Sequence, residues 1–432
     1  MDKYFRILDR LNPTICCGTV SKIVGLMIES IGPQTNIGDI CRVYQNEGDR
    51  FVLAEVVGIK NETILLMPFG SIEGIGYGSK VVSTDSSLKV KVGMGLVGRI
   101  IDGIGNPIDG KGEIEPDDMY PLENTPPKPL DRKPIEQVLP LGIRAIDGFL
   151  TCGMGQRLGI FAGSGVGKST LLGMIARNAR SDVNVIILVG ERGREVKEFI
   201  ENDLKQDGLK KSVLVVATSD QPALIRLKCA MLGTSIAEYF RDRGLNVMLL
   251  LDSLTRFAMA QREIGLSAGE PPVSRGYTPS VFSIMPKLLE RAGNSDKGSI
   301  TGLYTVLVDG DDLNEPITDS VRGILDGHIV LSRALANKNH YPAIDVLASV
   351  SRLMNAIVSP EHLQAAGKLR GMMSVYRESQ DLINIGAYRK GSNPDIDEAI
   401  AHIKSINDLT VQQVDDTAGF EETLEKMYGI LK

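Results

Sequence analysis

The hydrophobic and polar positions divide the chain into three regimes. From Gly18 to about Thr84, short apolar runs are broken by Gly, Asn and Asp. The runs 19–30, 40–44, 51–59, 63–67 and 80–83 read as closely spaced strands, and that spacing predicts a small β-barrel. From Gly142 onward, continuous Val/Ile/Leu runs at 158–161, 183–189, 213–217, 247–251 and 303–308 alternate with helical patterns. Such runs, too apolar for a strand with one wet face, predict a parallel sheet buried on both faces. From about Pro360 the strand-like runs stop, and 363–376 and 396–406 have helical spacing. The predicted fold class is α/β: a parallel-sheet core preceded by a small N-terminal β-barrel and followed by a helical C-terminal domain.

The segments between these regimes refine the boundaries. Tyr4, Phe5, Ile7, Leu8 and Leu11 lie on one face of a short N-terminal helix, which either packs on its own domain or serves as a docking peptide. Gly93–Gly98 and 102–107 are rich in turn residues, and 116–140 holds seven prolines, which excludes a helix and predicts an extended strap. The expected domains are a docking segment at 1–14, a barrel at 15–85, a nucleotide-binding domain at 86–358 and a helical domain at 359–432.

Composition narrows the function only a little. The chain has 432 residues, 43% of them hydrophobic, and a net charge of -6, which argues against a nucleic-acid-binding surface. Five cysteines without paired spacing (Cys16, Cys17, Cys41, Cys152, Cys229) and four scattered histidines predict neither a disulfide frame nor a metal site. No signal peptide or apolar run of about 18 residues is evident, so a cytoplasmic location is expected, with any membrane association through partners.

The chemistry is concentrated at Ala162-Gly163-Ser164-Gly165-Val166-Gly167-Lys168-Ser169-Thr170. An apolar run leads into this glycine-rich turn and a helical pattern follows it. In that order, backbone N–H groups of Gly163, Ser164, Gly165, Val166, Gly167 and Thr170 can converge on a phosphate at a helix N-terminus. Lys168 reaches the β- and γ-phosphates, and the Ser169 hydroxyl is placed to ligate Mg²⁺. The plainer reading is a glycine-rich turn capping a core helix. Ala162 stands where the motif usually has its first glycine, a small departure.

Other candidates carry two readings each. Asp252 ends the apolar run 247–251, either as the Mg²⁺-shell carboxylate beside a P-loop or as a helix N-cap before Ser253. Glu191, in Gly190-Glu191-Arg192-Gly193-Arg194-Glu195, is either the base that orients the attacking water or part of a charged helix cap, and Arg192 is available for phosphates or for the glutamate. Arg352 is a surface ion-pair partner or an arginine finger for a neighbouring site. Tyr341 is a stacking platform for a base or a packed aromatic near a turn. Asp309-Gly310-Asp311-Asp312 lacks the spacing of a calcium loop and reads as a turn.

Pro342-Ala343-Ile344-Asp345-Val346-Leu347-Ala348-Ser349-Val350-Ser351 resembles the signature of the F-, V- and type III secretion ATPases. Gly190-Glu191-Arg192, Asp252-Ser253, Tyr341-Pro342 and Ser351-Arg352 follow the P-loop in the same order, and the resemblance runs through essentially the whole chain. Within the family, 216–222, 279–286 and 382–388 are similar to the flagellum-specific ATPases of the flagellar export apparatus. The resemblance implies a RecA-like core, ATP and Mg²⁺ as substrate and cofactor, and a six-membered ring. It also implies Lys168 and Ser169 at the phosphates and Mg²⁺, Glu191 as catalytic base, Asp252 as the Walker B aspartate, Tyr341 on the adenine and Arg352 as the finger.

Rotary rings divide the glutamate and the finger between two kinds of subunit. Here one chain carries both, so six identical chains form six sites, a homohexamer. The implied partners are a stator-like regulator at the N-terminal segment, a central stalk protein, export-gate membrane proteins and chaperone-bound export substrates. A virulence-type injectisome ATPase shares every catalytic residue and is the alternative. A noncatalytic nucleotide-binding ring subunit is disfavoured by Glu191, a rotary catalytic subunit by Arg352, and an RNA-translocating hexamer by the acidic charge.

Overall fold

The computed structural model describes residues 16–432 except 47, 48, 309, 311 and 313. The N-terminal helix expected through Leu11, within the docking segment 1–14, lies outside the described residues. Two compact units result. One contains the described residues through Lys89 with Pro222–Ile225 and Ala260–Val281, and the other contains the rest of the chain.

In the first unit, six antiparallel strands close into a barrel: β1 (Cys17–Val24), β2 (Met27–Ile31), β3 (Asp39–Tyr44), β4 (Phe51–Lys60), β5 (Thr63–Pro68) and β6 (Lys80–Ser87). Their order is β1-β2-β5-β4-β3-β6, and β1 pairs with β6 to complete the circle. Closure removes the unpaired sheet edges that would otherwise invite aggregation. Alternate residues point inward, so Val20, Ile28, Val43, Val56, Leu66 and Val81 fill the interior. The expected single strand over 19–30 is instead a hairpin. Gly25 adopts φ +57°, a left-handed conformation that glycine takes without a Cβ clash, and the chain reverses there.

The second unit is built on a parallel sheet: β7 (Ile100–Asp102), β8 (Arg157–Ala162), β9 (Val183–Glu191), β10 (Ser212–Thr218), β11 (Asn246–Asp252), β12 (Ser299–Leu307) and β13 (Gly327–Leu331). The short β14 (Val350–Ser351) pairs antiparallel with β13 at one edge, giving the order β14-β13-β8-β12-β11-β9-β10-β7. The five apolar runs all form strands here, and β9, β11 and β12 are buried almost end to end. β7 was legible only as turn residues, because three residues carry too little periodicity. β13 alternates buried with half-buried positions, so it lacks the continuous apolar run that marked the others.

C-terminal helices span Pro360–Asn384, Pro394–Thr410 and Phe420–Ile430. The first two start on proline, whose missing N–H costs nothing at that position. Ser359 and Asn393 cap them by accepting from the His362 and Asp395 N–H groups.

The segment 116–140 contains no α-helix, only a short strand at Asp118–Pro121 and a 3₁₀ turn at Pro129–Asp131. It is tied to the core through Arg291, whose Nη1 donates to the Leu122 carbonyl at 2.9 Å. The same guanidinium forms a fork with Glu238, at 2.9 Å from Nε to Oε1 and 2.7 Å from Nη2 to Oε2. Both side chains are buried, 4% and 0% exposed. Removing one member of such a pair strands the other charge. Glu238→Ala is therefore expected to lower stability by about 3–5 kcal/mol, read as an earlier urea midpoint. An unchanged midpoint contradicts that role for the pair.

Candidate active site

The phosphate cradle forms at the carboxyl end of β8. Gly165 and Gly167 take φ +76° and +91°, which turns the chain sharply before the helix Lys168–Asn178. Val166 is buried in the core beneath and anchors the loop, while Ser164 and Gly165 face solvent. The helix has no side-chain cap. Its first-turn N–H groups are thus left to a ligand, and the helix dipole favours an anion there. Ala162 is still in the strand, paired with Leu307 and Leu331, so a Cβ there meets no restriction. That is the physical reason the departure from glycine is harmless.

Three charged groups meet behind the cradle. Lys168 Nζ donates to Asp252 Oδ1 and lies 3.5 Å from Glu191 Oε1. Asp252 ends β11 and Glu191 ends the adjacent β9, so the sheet itself sets their spacing. Asp252 is 4% exposed and its Oδ1 also accepts from the Thr305 hydroxyl at 2.7 Å. The helix N-cap role open to Asp252 falls instead to Ser253, whose hydroxyl accepts the Arg256 N–H at 3.3 Å. Glu191 caps nothing and turns inward.

Burial and charge poise this cluster. Burial would lower the Lys168 ammonium, but Asp252 and Glu191 outweigh it and hold the ammonium above its ordinary value. Burial first, then the nearby Asp252 charge, pushes the Glu191 carboxyl up to about 7, against the pull of Lys168. A carboxyl poised near neutrality can exchange protons at working pH.

A cavity of about 510 Å³ opens in front of the cluster, lined by the cradle, Glu191, Arg192, Glu195, Arg256, Leu307 and Val308. Arg192 is largely solvated and pairs with Glu195 at 3.6 Å. Arg256 was not singled out from the sequence. It sits four residues beyond Asp252, in the first turn of the helix Leu254–Ser267, and its buried Nε has no hydrogen-bond partner among the described residues. Gly190, at φ +70°, admits the Arg256 side chain: a Cβ there would lie 3.0 Å from Arg256 Cβ. The sequence signal was present, a glycine before the strand-end glutamate and an arginine after the strand-end aspartate, but their proximity depends on strand order.

A second cavity of about 400 Å³ adjoins the cradle and is walled by Gly165, Gly167, Thr170, Tyr341, Pro342 and 411–414. The Tyr341 ring lies against Gly167, 3.5 Å from where a Cβ would stand. The wall at 411–414, between the last two helices, gave no sequence signal.

Arg352 is not brought to this cluster. Its residue follows Ser351, which pairs with Gly327 at the start of β13, whereas the cradle follows Ala162 beside Leu331 at the strand's other end. Arg352 is exposed, and its Nη2 donates to the Arg322 carbonyl at 3.1 Å. Among the described residues no group of three His, Cys, Asp or Glu side chains could hold a metal ion. Asp309 and Asp311 lie outside the described residues, while Asp312 accepts the Asn314 N–H at 3.0 Å as a turn does. No described helix is long and apolar enough to cross a membrane.

Comparison with known proteins accounts for all three parts of the chain. Residues 142–351 match the family model for the nucleotide-binding domain of the ATP synthase alpha/beta family, and 20–85 match that family's beta-barrel domain. Residues 358–429 match the T3SS EscN ATPase C-terminal domain. The flagellum-specific ATP synthase of Bacillus subtilis is 58% identical over 96% of this chain and 94% of its own length. A type 3 secretion system ATPase of Xanthomonas euvesicatoria is 52% identical over 96% and 93%. The assembled ATPase EscN from the enteropathogenic E. coli type III secretion system superposes with a TM-score of 0.92 at 48% identity, covering 96% of this chain and all of that one. The same ATPase in complex with its central stalk EscO gives 0.89 at 47%, again covering 96% of this chain and all of that one. The cradle with its Lys168, Glu191 and Asp252 cluster sits within the nucleotide-binding match, and the chain belongs to the ATP synthase alpha/beta family, in its type III secretion branch.

Proposed function

We propose that this chain is a Mg²⁺-dependent ATP hydrolase that energises export of unfolded flagellar proteins, working as a ring of six copies with sites at subunit interfaces. One observation carries the reading: Lys168, Glu191 and Asp252 meet at the cradle, while Arg352 stands a strand's length away on the same chain.

The cradle N–H groups and Lys168 hold the phosphates, and Lys168 moves from the carboxylates to the γ-phosphate as nucleotide enters. Glu191 accepts a proton from the attacking water as its oxygen bonds to the γ-phosphorus. The bond from that phosphorus to the bridging oxygen breaks, and ADP leaves with the electron pair. Arg256 and Arg192 face the transferred phosphoryl group, and Arg352 of a neighbouring copy completes the charge around it. Tyr341 stacks on the base.

The exposed Ser169 hydroxyl and the Asp252 carboxylate are hard oxygen donors suited to Mg²⁺, with the aspartate acting through water. Too few protein carboxylates converge for an all-protein cage, which suits an ion that arrives with phosphate oxygens. An Mg²⁺ ion held by Ser169 and Asp252 would neutralise negative charge that develops as the phosphoryl group transfers.

The proposed domains are the barrel at 15–85, the RecA-like domain at 86–358 and the helical domain at 359–432, with 1–14 as a docking segment. A central stalk protein, a stator-like regulator, the export gate and chaperone-bound substrates are the proposed partners, at the cytoplasmic face of the membrane. The resemblance to EscN assembled with its central stalk EscO supports the stalk partner. The test is phosphate release from Mg²⁺-ATP at increasing protein concentration. Specific activity should rise as rings assemble, and concentration-independent turnover contradicts the interface site. Deleting the gene should abolish flagellar assembly, whereas loss of effector secretion alone would assign the chain to an injectisome.

A further inference from the structure

The wall of the base cavity is tied to the segment that follows Glu191. That segment runs as a helix at Gly193–Glu198, a π-helical turn at Phe199–Leu204 and a helix at Lys205–Lys210. Single π turns are rare and cluster where a helix must adjust. Lys205 adopts φ +57°, an uncommon conformation for a lysine.

Two side chains bridge from this turn to the cavity wall. Arg177, in the last turn of the cradle helix, donates from Nη1 to the Asp203 carbonyl and from Nη2 to the Val414 carbonyl at 2.6 Å. Lys205 Nζ pairs with Asp415. The turn is also seated on the cradle helix. Gly173 leaves room for it, since a Cβ there would come within 2.6 Å of Asp203 Cβ. Burial raises the Asp203 carboxyl and the nearby Thr170 hydroxyl opposes that rise; Thr170 borders both cavities.

A guanidinium is planar and rigid, so both carbonyls can bond Arg177 only in one relative placement. From Asp203 back to Glu191 the chain is almost wholly helical, which passes a displacement along its axis, over about 18 Å at most. We propose that Arg177 and Lys205 are positioning residues that couple occupancy of the base cavity to placement of Glu191. This rests on the hydrolase reading above. Base binding orders 411–414, the two bridges seat the π turn, and the helix sets Glu191 against the water.

The test uses the full chain with Arg177→Met and Lys205→Asp. Each should lower kcat for ATP by about tenfold, within the usual range for coupled sites, while affinity for a fluorescent N-methylanthraniloyl-ADP changes by less than about threefold. The swap Lys205→Asp with Asp415→Lys should recover most of the lost kcat. Weaker affinity with kcat intact, or a swap that restores nothing, overturns the coupling. The Lys205 and Asp415 exchange alters solvated side chains, so it remains decisive if Arg177→Met fails to fold. A second readout does not need turnover. ADP should slow amide hydrogen exchange at 199–205 in the natural chain and not in Lys205→Asp; equal protection in both overturns the coupling. Absent turnover in the natural chain sinks the hydrolase reading alone, since the exchange measurement still judges the coupling.

Discussion

Arg352→Ala is expected to lower the rate of ATP hydrolysis by about 10³–10⁵, the range an arginine finger supplies in phosphoryl transfer. The loss should fall on kcat, with nucleotide affinity nearly unchanged, because Arg352 does not touch its own cradle. Strand register makes this argument. Ser351 faces Gly327, and the cradle leaves the sheet beside Leu331, four residues further along β13. At the rise of a parallel strand that separation is about 13 Å, beyond the reach of the side chain across an occupied sheet edge. In the proposed mechanism Arg352 therefore serves another copy. Mixing gives the sharper result: rings that combine Arg352→Ala chains with Lys168→Ala chains should regain activity that neither has alone. At some interfaces an intact Lys168 then meets an intact Arg352. An inert mixture, or a fully active Arg352→Ala enzyme, refutes the shared site.

Glu191→Gln should cut kcat by about 10²–10⁴, the contribution of a positioned general base, and leave nucleotide binding in place. The amide keeps the size of the side chain but cannot accept the proton. The wild-type kcat/KM should also have an acid limb near pH 7. Only the ionised glutamate acts as base, and burial beside Asp252 raises its carboxyl to about 7. Activity is thus lost as pH falls through that value, where the side chain protonates, and recovers above it. Phosphate charge in the complex would move the limb of kcat upward. The limb should be absent in Glu191→Gln. A limb that persists there at the same pH would place the essential base elsewhere.

These two residues also mark the division between local and tertiary information. The cradle was legible because its chemistry is local: glycines, Lys168 and Ser169 lie within one turn and one helix start. Glu191 and Asp252 were legible as carboxylates ending apolar runs, since a buried parallel strand must carry such a run and ligands gather at its carboxyl end. Whether they met Lys168 was not legible, because that depends on β9 and β11 being neighbours, with β12 supplying Thr305 from a third strand.

Long-range placement decided the rest. Arg256 is sequence-adjacent to nothing in the cradle, and it approaches because Gly190 leaves space for its stem. The wall at 411–414 reaches Tyr341 through the backbone bond from Gln412 N–H to the Tyr341 carbonyl at 2.8 Å, a contact no periodicity encodes. Arg352 is the clearest case. Its residue type and neighbours left a surface ion-pair partner or a finger open, and the family resemblance implied the finger. Only the antiparallel return of β14 puts it at the far end of the sheet from its own cradle. By itself, then, the sequence determined the buried apolar strands, the cradle and most of the residues able to do chemistry, because each is set by contacts within a few positions. Strand order, register and the packing of distant loops decided which of those residues meet in one copy and which stand apart, because those contacts join segments far apart in the chain.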